Sequence, residues 1–170
     1  RRLRPRTRVT APGRPRKIVA RRPVVAVTRA KAVRRTKGPI GSRIAARARS
    51  LVGVRYVWGG TNPRRGLDCS GLSLVCLKAV GISIPRTAGE QFRRGKAIAT
   101  ARLAAGDLLF FWGSPWGRSS RRQGRRIAHV GVYVGNGRLV HAPRPGRRVC
   151  EVVFSGWFRS RYAGARRYSG

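Results

Sequence analysis

Acidic residues are almost missing from this 170-residue chain: four Asp and Glu stand against 40 Lys and Arg, a net charge of +36. So few carboxylates leave few candidates for a carboxylate member of any catalytic triad. The three cysteines form no C-x-x-C pair and no Cys/His cluster with zinc spacing, so neither a metal site nor a cofactor is expected. Their odd number leaves at least one thiol unpaired. No apolar run approaches the ~18–20 residues that span a bilayer, and the run from Val24 to Val27 is too short for a signal-peptide core. Methionine is absent even at position 1. The chain therefore reads as a processed or trimmed product whose missing piece is a candidate export signal.

What is abundant is positive charge, most of it arginine, on a chain whose 41% hydrophobic content suits one domain with a real core. Such a field gathers polyanions, and guanidinium groups suit the phosphates of nucleic acid, teichoic acid, lipopolysaccharide and acidic membranes alike. Residues 1–38 carry fifteen Lys and Arg, four prolines and no acid, without sustained periodicity. They are expected to be a disordered basic arm that binds a polyanion, because a mere linker rarely needs that charge density. Residues 39–170 form the expected domain.

Within the domain, helical signals come first. Ser42 is placed to cap a helix with Ile44, Ala48, Leu51 and Val52 on its apolar face and Gly53 as its stop. A short strand over Tyr56-Val57-Trp58 runs into Gly59-Gly60. Asp68 is a good N-cap for a helix carrying Leu72, Val75, Cys76, Ala79 and Val80 on one stripe, ended by Gly81. Thr87-Ala88-Gly89-Glu90 matches a capping box. Strand signals follow: Asp107 holds a turn before Leu108–Trp112, an exposed loop with five arginines runs from Gly113 to Arg126, and Ile127–Ala142 reads as a hairpin. Residues 151–154 and 166–168 are further strand candidates. This order implies an α+β domain with helices packed on one antiparallel sheet.

The chemistry centres on Cys69. At the first turn of its helix, unpaired N–H groups and the positive end of the dipole favour a thiolate and can hold the oxyanion of an attacked carbonyl. Taken alone, Cys69 would be a small buried residue. The chain's two histidines, His129 and His141, both fall on the hairpin, where one can act as base and the other can orient it. Cys76, two turns deeper, reads as core, and Cys150 has no assigned role. A three-residue tip, Gly135-Asn136-Gly137, would pair Val134 with Arg138 and Gly131 with His141. That register puts both imidazoles on one face, and leaves room beside Gly131 for the Cys69 sulfur to come within about 4 Å of a His129 nitrogen.

Tyr56-x-Trp58-Gly59-Gly60, Asp68-Cys69-Ser70-Gly71-Leu72, Ile84-Pro85-Arg86-Thr87, Leu103-x-x-Gly106-Asp107-Leu108, His129 through Gly137, and His141-Ala142-Pro143 occur in one order and register. In this the chain resembles the NlpC-type (NlpC/p-sixty) cell-wall endopeptidases over roughly residues 41–168. The resemblance implies a papain-like fold and hydrolysis of amide bonds in peptidoglycan stem peptides, typically between D-glutamate and the diamino acid. It also implies Cys69 as nucleophile, His129 as base and His141 as third catalytic residue, with Tyr56, Asp68 and Ser70 lining the substrate pocket and meeting the stem peptide's free amine. The expected protein is then a monomeric endopeptidase, secreted, wall-bound or phage-borne, whose arm holds it on anionic wall polymers or another polyanion. Arg55, where a proline is common, and the arginine-rich loop depart from the family pattern and bear on substrate preference. Two other readings stay open: a non-catalytic basic module for nucleic acid or wall polymers, and a cysteine amidase or acyltransferase on the same fold. The intact Cys69, His129 and His141 weigh against the first.

Overall fold

Alternation and helical spacing translate into three helices followed by strands in the computed structural model, which describes residues 39–113 and 126–168. The expected arm over 1–38 and nearly all of the arginine-rich loop lie outside the described residues. Helices α1 (Ile40–Ser50), α2 (Cys69–Lys78) and α3 (Ala88–Arg94) precede most of the sheet, with the two-residue strands β1 (Thr61–Asn62) and β2 (Gly66–Leu67) pairing between α1 and α2. The main sheet comprises β3 (Lys96–Ile98), β4 (Leu108–Trp112), β5 (Ile127–Gly135), β6 (Arg138–His141), β7 (Cys150–Val153) and β8 (Tyr162–Arg167). Its order is β3-β8-β4-β5-β6-β7, antiparallel throughout. The short α4 (Gly156–Ser160) lies between β7 and β8.

Strand alternation divides the core in two. Leu108, Phe110, Val130, Val132, Val140 and Ala142 meet Ile44, Ala45 and Ala48 of α1 and Leu72, Cys76 and Leu77 of α2. The other face sets Leu109, Phe111, Leu139 and Ala165 against Phe154 and the α4 residues Trp157 and Phe158. Because both faces are covered, Leu108 through Phe111 are all fully buried, each side chain contributing about 1.5–3 kcal/mol. The expected α+β architecture is observed, with α4 as an addition: five residues are too few to show a helical period.

The local punctuation is mostly as expected. Asp68 caps α2 by accepting from Gly71 N, and Gly81, at φ 88°, closes it with Gly81 N donating to Lys78 O and Ile82 N to Leu77 O, a Schellman arrangement. Leu77, not Ala79, completes the buried stripe. Thr87 and Glu90 form the reciprocal capping box of α3. Asp107 accepts from Ala104 N at 2.8 Å and pairs with Arg167, which ties the turn before β4 to β8.

Three expectations are corrected. Ser42 is not the cap of α1; Pro39 is, without a side-chain bond. The start is set by packing: a Cβ on Gly41 would lie 2.1 Å from the Ala105 carbonyl oxygen, so helix and turn touch backbone to backbone. Tyr56-Val57-Trp58 makes no strand, only isolated bridges from Arg55 to Arg148 and from Tyr56 to Leu67. The hairpin tip differs too. Gly135 pairs with Arg138 across a two-residue Asn136-Gly137 turn whose φ values of 51° and 66° are those of type I′. An irregularity between Tyr133 and Gly135 then absorbs one residue, so Tyr133 still faces Leu139 and Val132 still faces Val140. Continuing that register sets Gly131 opposite His141, the alignment expected from a three-residue tip but reached through a bulge.

Candidate active site

Three elements converge on one open cleft of about 940 Å³ whose lining includes Tyr56, Trp58, Asp68, Cys69, Ser70, Arg86 and His129. Cys69 is there because Asp68 starts α2. The Asp68 carboxylate accepts from Gly71 N at 2.6 Å and Gly59 N at 3.0 Å, which also pins the Gly59-Gly60 turn to the helix start. Both of its oxygens meet the Arg86 guanidinium, and the same Arg86 donates to Ser70 Oγ at 2.7 Å. Gly71 lets this happen: a Cβ there would sit 2.0 Å from Gly60 O. Behind the helix start, fully buried Gln91 joins α3 to α2 through Ser73 Oγ, Ser70 O and Pro85 O.

The two imidazoles form a buried pair. His129 Nε2 lies 2.9 Å from His141 Nδ1, with the rings perpendicular at 89° and 5.1 Å between centroids. They share the sheet face that carries Leu139, as the register requires. Phe111 packs beside His129, Trp157 6.5 Å from the same ring, and Phe158 5.0 Å from His141. This aromatic box excludes water. Burial, and then the neighbouring His141, hold the His129 pKa well below the usual imidazole range, and burial lowers that of His141 to about 4. His129 lines the cleft, whereas His141 stands behind it.

The sulfur reaches this site from the other side of β5. Cys69 packs with the helix-facing core, and the backbone N–H groups of Val130, Ser70 and Cys69 itself favour its thiolate. They are outweighed: burial and the Asp68 charge push the thiol of this partly buried residue up to about 11, which favours the neutral form at rest. No hydrogen bond joins Cys69 to His129 among the described residues; His129 Nε2 is turned to His141 instead. Nor is the space beside Gly131 open. A Cβ there would meet Leu139 Cδ1 at 2.6 Å and His141 Cβ at 3.3 Å, so Gly131 makes room for β6, not for the sulfur.

All three expected pocket residues, Tyr56, Asp68 and Ser70, line the cleft; burial, Cys69 and Asp68 raise the Tyr56 phenol to about 12. Asp68 is only 8% exposed and already engages two backbone N–H groups, the Ser70 hydroxyl and Arg86. The part played by Arg86 is new, although it stands in the Ile84-Pro85-Arg86-Thr87 motif. The contact of Cys150 with His141, and the box built by α4, had no signal in sequence spacing.

Comparison with known proteins identifies the family of the chain. The sequence pattern of the NlpC/P60 family matches residues 53–167, more than half of the chain. The chain is 44% identical over 121 residues to the murein DD-endopeptidase MepH of Escherichia coli, covering 68% of this chain and 41% of that protein. It is 41% identical over 105 residues to the bifunctional muramidase/DL-endopeptidase CwlT of Bacillus subtilis, covering 62% and 30%. It thus spans less than half the length of either relative. Among solved structures, an NlpC/P60 family protein from Bacillus cereus superposes with a TM-score of 0.67 at 34% identity, covering 78% of this chain and 41% of that one. The NlpC/p60 domain of the peptidoglycan hydrolase SagA gives 0.60 at 36%, covering 75% and 98%. With the family pattern running from Gly53 to Arg167 and through every element that builds the cleft, the chain belongs to the NlpC/P60 family.

Proposed function

We propose that this protein is a cysteine endopeptidase that hydrolyses amide bonds in peptidoglycan stem peptides, with Cys69 as nucleophile, His129 as base and His141 as its orienting partner. The observation that carries the reading is the 2.9 Å imidazole pair, whose His129 lines one cleft with a cysteine on the first residue of a helix. A His129 ring that donates through Nε2 to His141 keeps its Nδ1 lone pair for the Cys69 proton. Since thiol and imidazole are both neutral at rest, that proton moves as the sulfur attacks the scissile carbonyl. Backbone N–H groups at the start of α2 would hold the oxyanion. His129 then returns the proton to the leaving amine, and water attacks the thioester with His129 again as base.

The favoured bond is the one between D-glutamate and the diamino acid, and the favoured contacts for the stem peptide's free amine are Tyr56, Asp68 and Ser70. Asp68 acts there through its hold on Ser70 and Arg86 as much as directly. Digestion of purified peptidoglycan, with fragments identified by mass spectrometry, tests both bond and activity. Cys69→Ala should abolish release and leave the fold intact. Cys76→Ala, in the core, should cost about 1 kcal/mol or more of stability and spare activity. Turnover retained by the Cys69 variant would overturn the assignment.

A further inference from the structure

We infer that Cys150 is a positioning residue, whose sulfur accepts a hydrogen bond from His141 Nε2–H and thereby selects the tautomers of both histidines; this rests on His129 being the base. His141 and Cys150 are direct partners across the β6–β7 ladder, which places their side chains on one face of the sheet. Cys150 Sγ lies 3.5 Å from His141 Nε2, and His141 Nδ1 lies 2.9 Å from His129 Nε2. These are the hydrogen bonds of the His141 ring among the described residues, and Phe158 closes on it at 5.0 Å between centroids.

Two proton arrangements satisfy this chain. In one, His129 Nε2–H donates to His141 Nδ1 and His141 Nε2–H donates to the Cys150 sulfur, leaving His129 Nδ1 as an acceptor. In the other, the Cys150 S–H donates to His141 Nε2, His141 Nδ1–H donates to His129 Nε2, and His129 carries its hydrogen on Nδ1, where it cannot take a proton from Cys69. A thiol sulfur is a weak donor and a weak acceptor, whereas an imidazole N–H is a stronger donor. The first arrangement puts the stronger donor on that 3.5 Å contact and the second the stronger acceptor, but the first alone leaves His129 Nδ1 able to take the Cys69 proton. It also suits the step in which His129 becomes cationic, because His129 Nε2–H then donates more strongly and His141 can pass the polarisation on to the sulfur without losing a proton. A weak acceptor is useful at this position: it fixes the ring without withdrawing it from His129.

Selective ¹⁵N labelling of histidine in the full chain reads the tautomers directly, without substrate. In the parent protein both rings should carry hydrogen on Nε2. In Cys150→Ala the His141 ¹⁵N shifts should move toward a mixture of tautomers, kcat on peptidoglycan fragments should fall roughly tenfold, a part of the 10²–10⁴ that general acid–base catalysis supplies, and KM should stay unchanged. Cys150→Ser, which keeps an acceptor, should restore most of both. His141 found with its hydrogen on Nδ1 in the parent protein would overturn the inference, as would Cys150→Ala with unchanged shifts and kcat. Failure of the endopeptidase reading looks different: turnover would survive Cys69→Ala while the histidine shifts stayed as predicted.

Discussion

At the scale of single residues, position on a helix and burial compete for the state of Cys69, and burial prevails. A first-turn cysteine invites the inference of a standing thiolate, yet the thiol is raised to about 11, chiefly by burial and then by Asp68. The thiolate fraction at pH 7 is then on the order of 10⁻⁴ and grows tenfold per pH unit. Alkylation of Cys69 by iodoacetamide, followed by peptide mass spectrometry, should therefore be slow at pH 7 and about a hundredfold faster at pH 9. A rate already on its plateau at pH 6 would show a resting ion pair instead. The histidines make the converse statement about stability. Their folded pKa values lie below the unfolded one, so the unfolded chain takes up protons first as pH falls. The cost begins near pH 6.5 and, for His141 alone, reaches roughly 3 kcal/mol by about pH 4. Denaturant titrations should show that loss between pH 7 and 4, and its absence would mean that the aromatic box admits water.

At the scale of elements, the hairpin decides whether the site exists, because a one-residue slip of β6 would send His141 to the helix-facing side. Gly131 guards that register. Adding a methyl group drives it into Leu139 and His141, so Gly131→Ala should cost about 1–3 kcal/mol and lower kcat beyond what the remaining folded fraction explains, measured by thermal unfolding beside turnover. An unaltered variant would show that β6 can retreat. Much of this was legible in the sequence, for physical reasons. Asp68 before an apolar stripe, the Thr87–Glu90 box and the alternation from Ile127 onward are local signals, and each produced its element. The shared face of His129 and His141 was legible as well. Its route was not, since a type I′ turn with a compensating bulge and a three-residue loop put the same residues opposite each other. What spacing could not reveal depends on strands distant in sequence. β3 finds its partner only in β8, Cys150 meets His141 only through β7, and α4 closes over the imidazoles because Phe111 and Phe154 are already there.

At the scale of the whole molecule, the charge imbalance is sharper than +36 conveys, because every carboxylate is already committed. Asp68 pairs with Arg86, Asp107 with Arg167, Glu151 with both Arg49 and Arg138, and Glu90 caps its own helix. These acids build the fold and the cleft, whereas residues 1–38 carry fifteen cationic residues and no acid of their own. We propose that this segment acts as a separate arm and that its partner is the anionic polymer of a cell wall, which would concentrate the enzyme on its substrate. Two properties then come apart. Attachment to intact walls depends on many weak ionic contacts that salt screens over about 10 Å at 0.1 M, so it should fall steeply between low and moderate ionic strength. Cleavage of a short soluble stem peptide depends on the cleft alone and should respond little. Deleting residues 1–38 should therefore weaken wall pelleting at low salt, flatten its salt dependence and leave kcat/KM on the soluble peptide within about twofold, the margin expected when distant sites act independently. If the truncated protein lost soluble-peptide cleavage together with wall binding, residues 1–38 would belong to the catalytic domain and the boundary at 38 would be wrong.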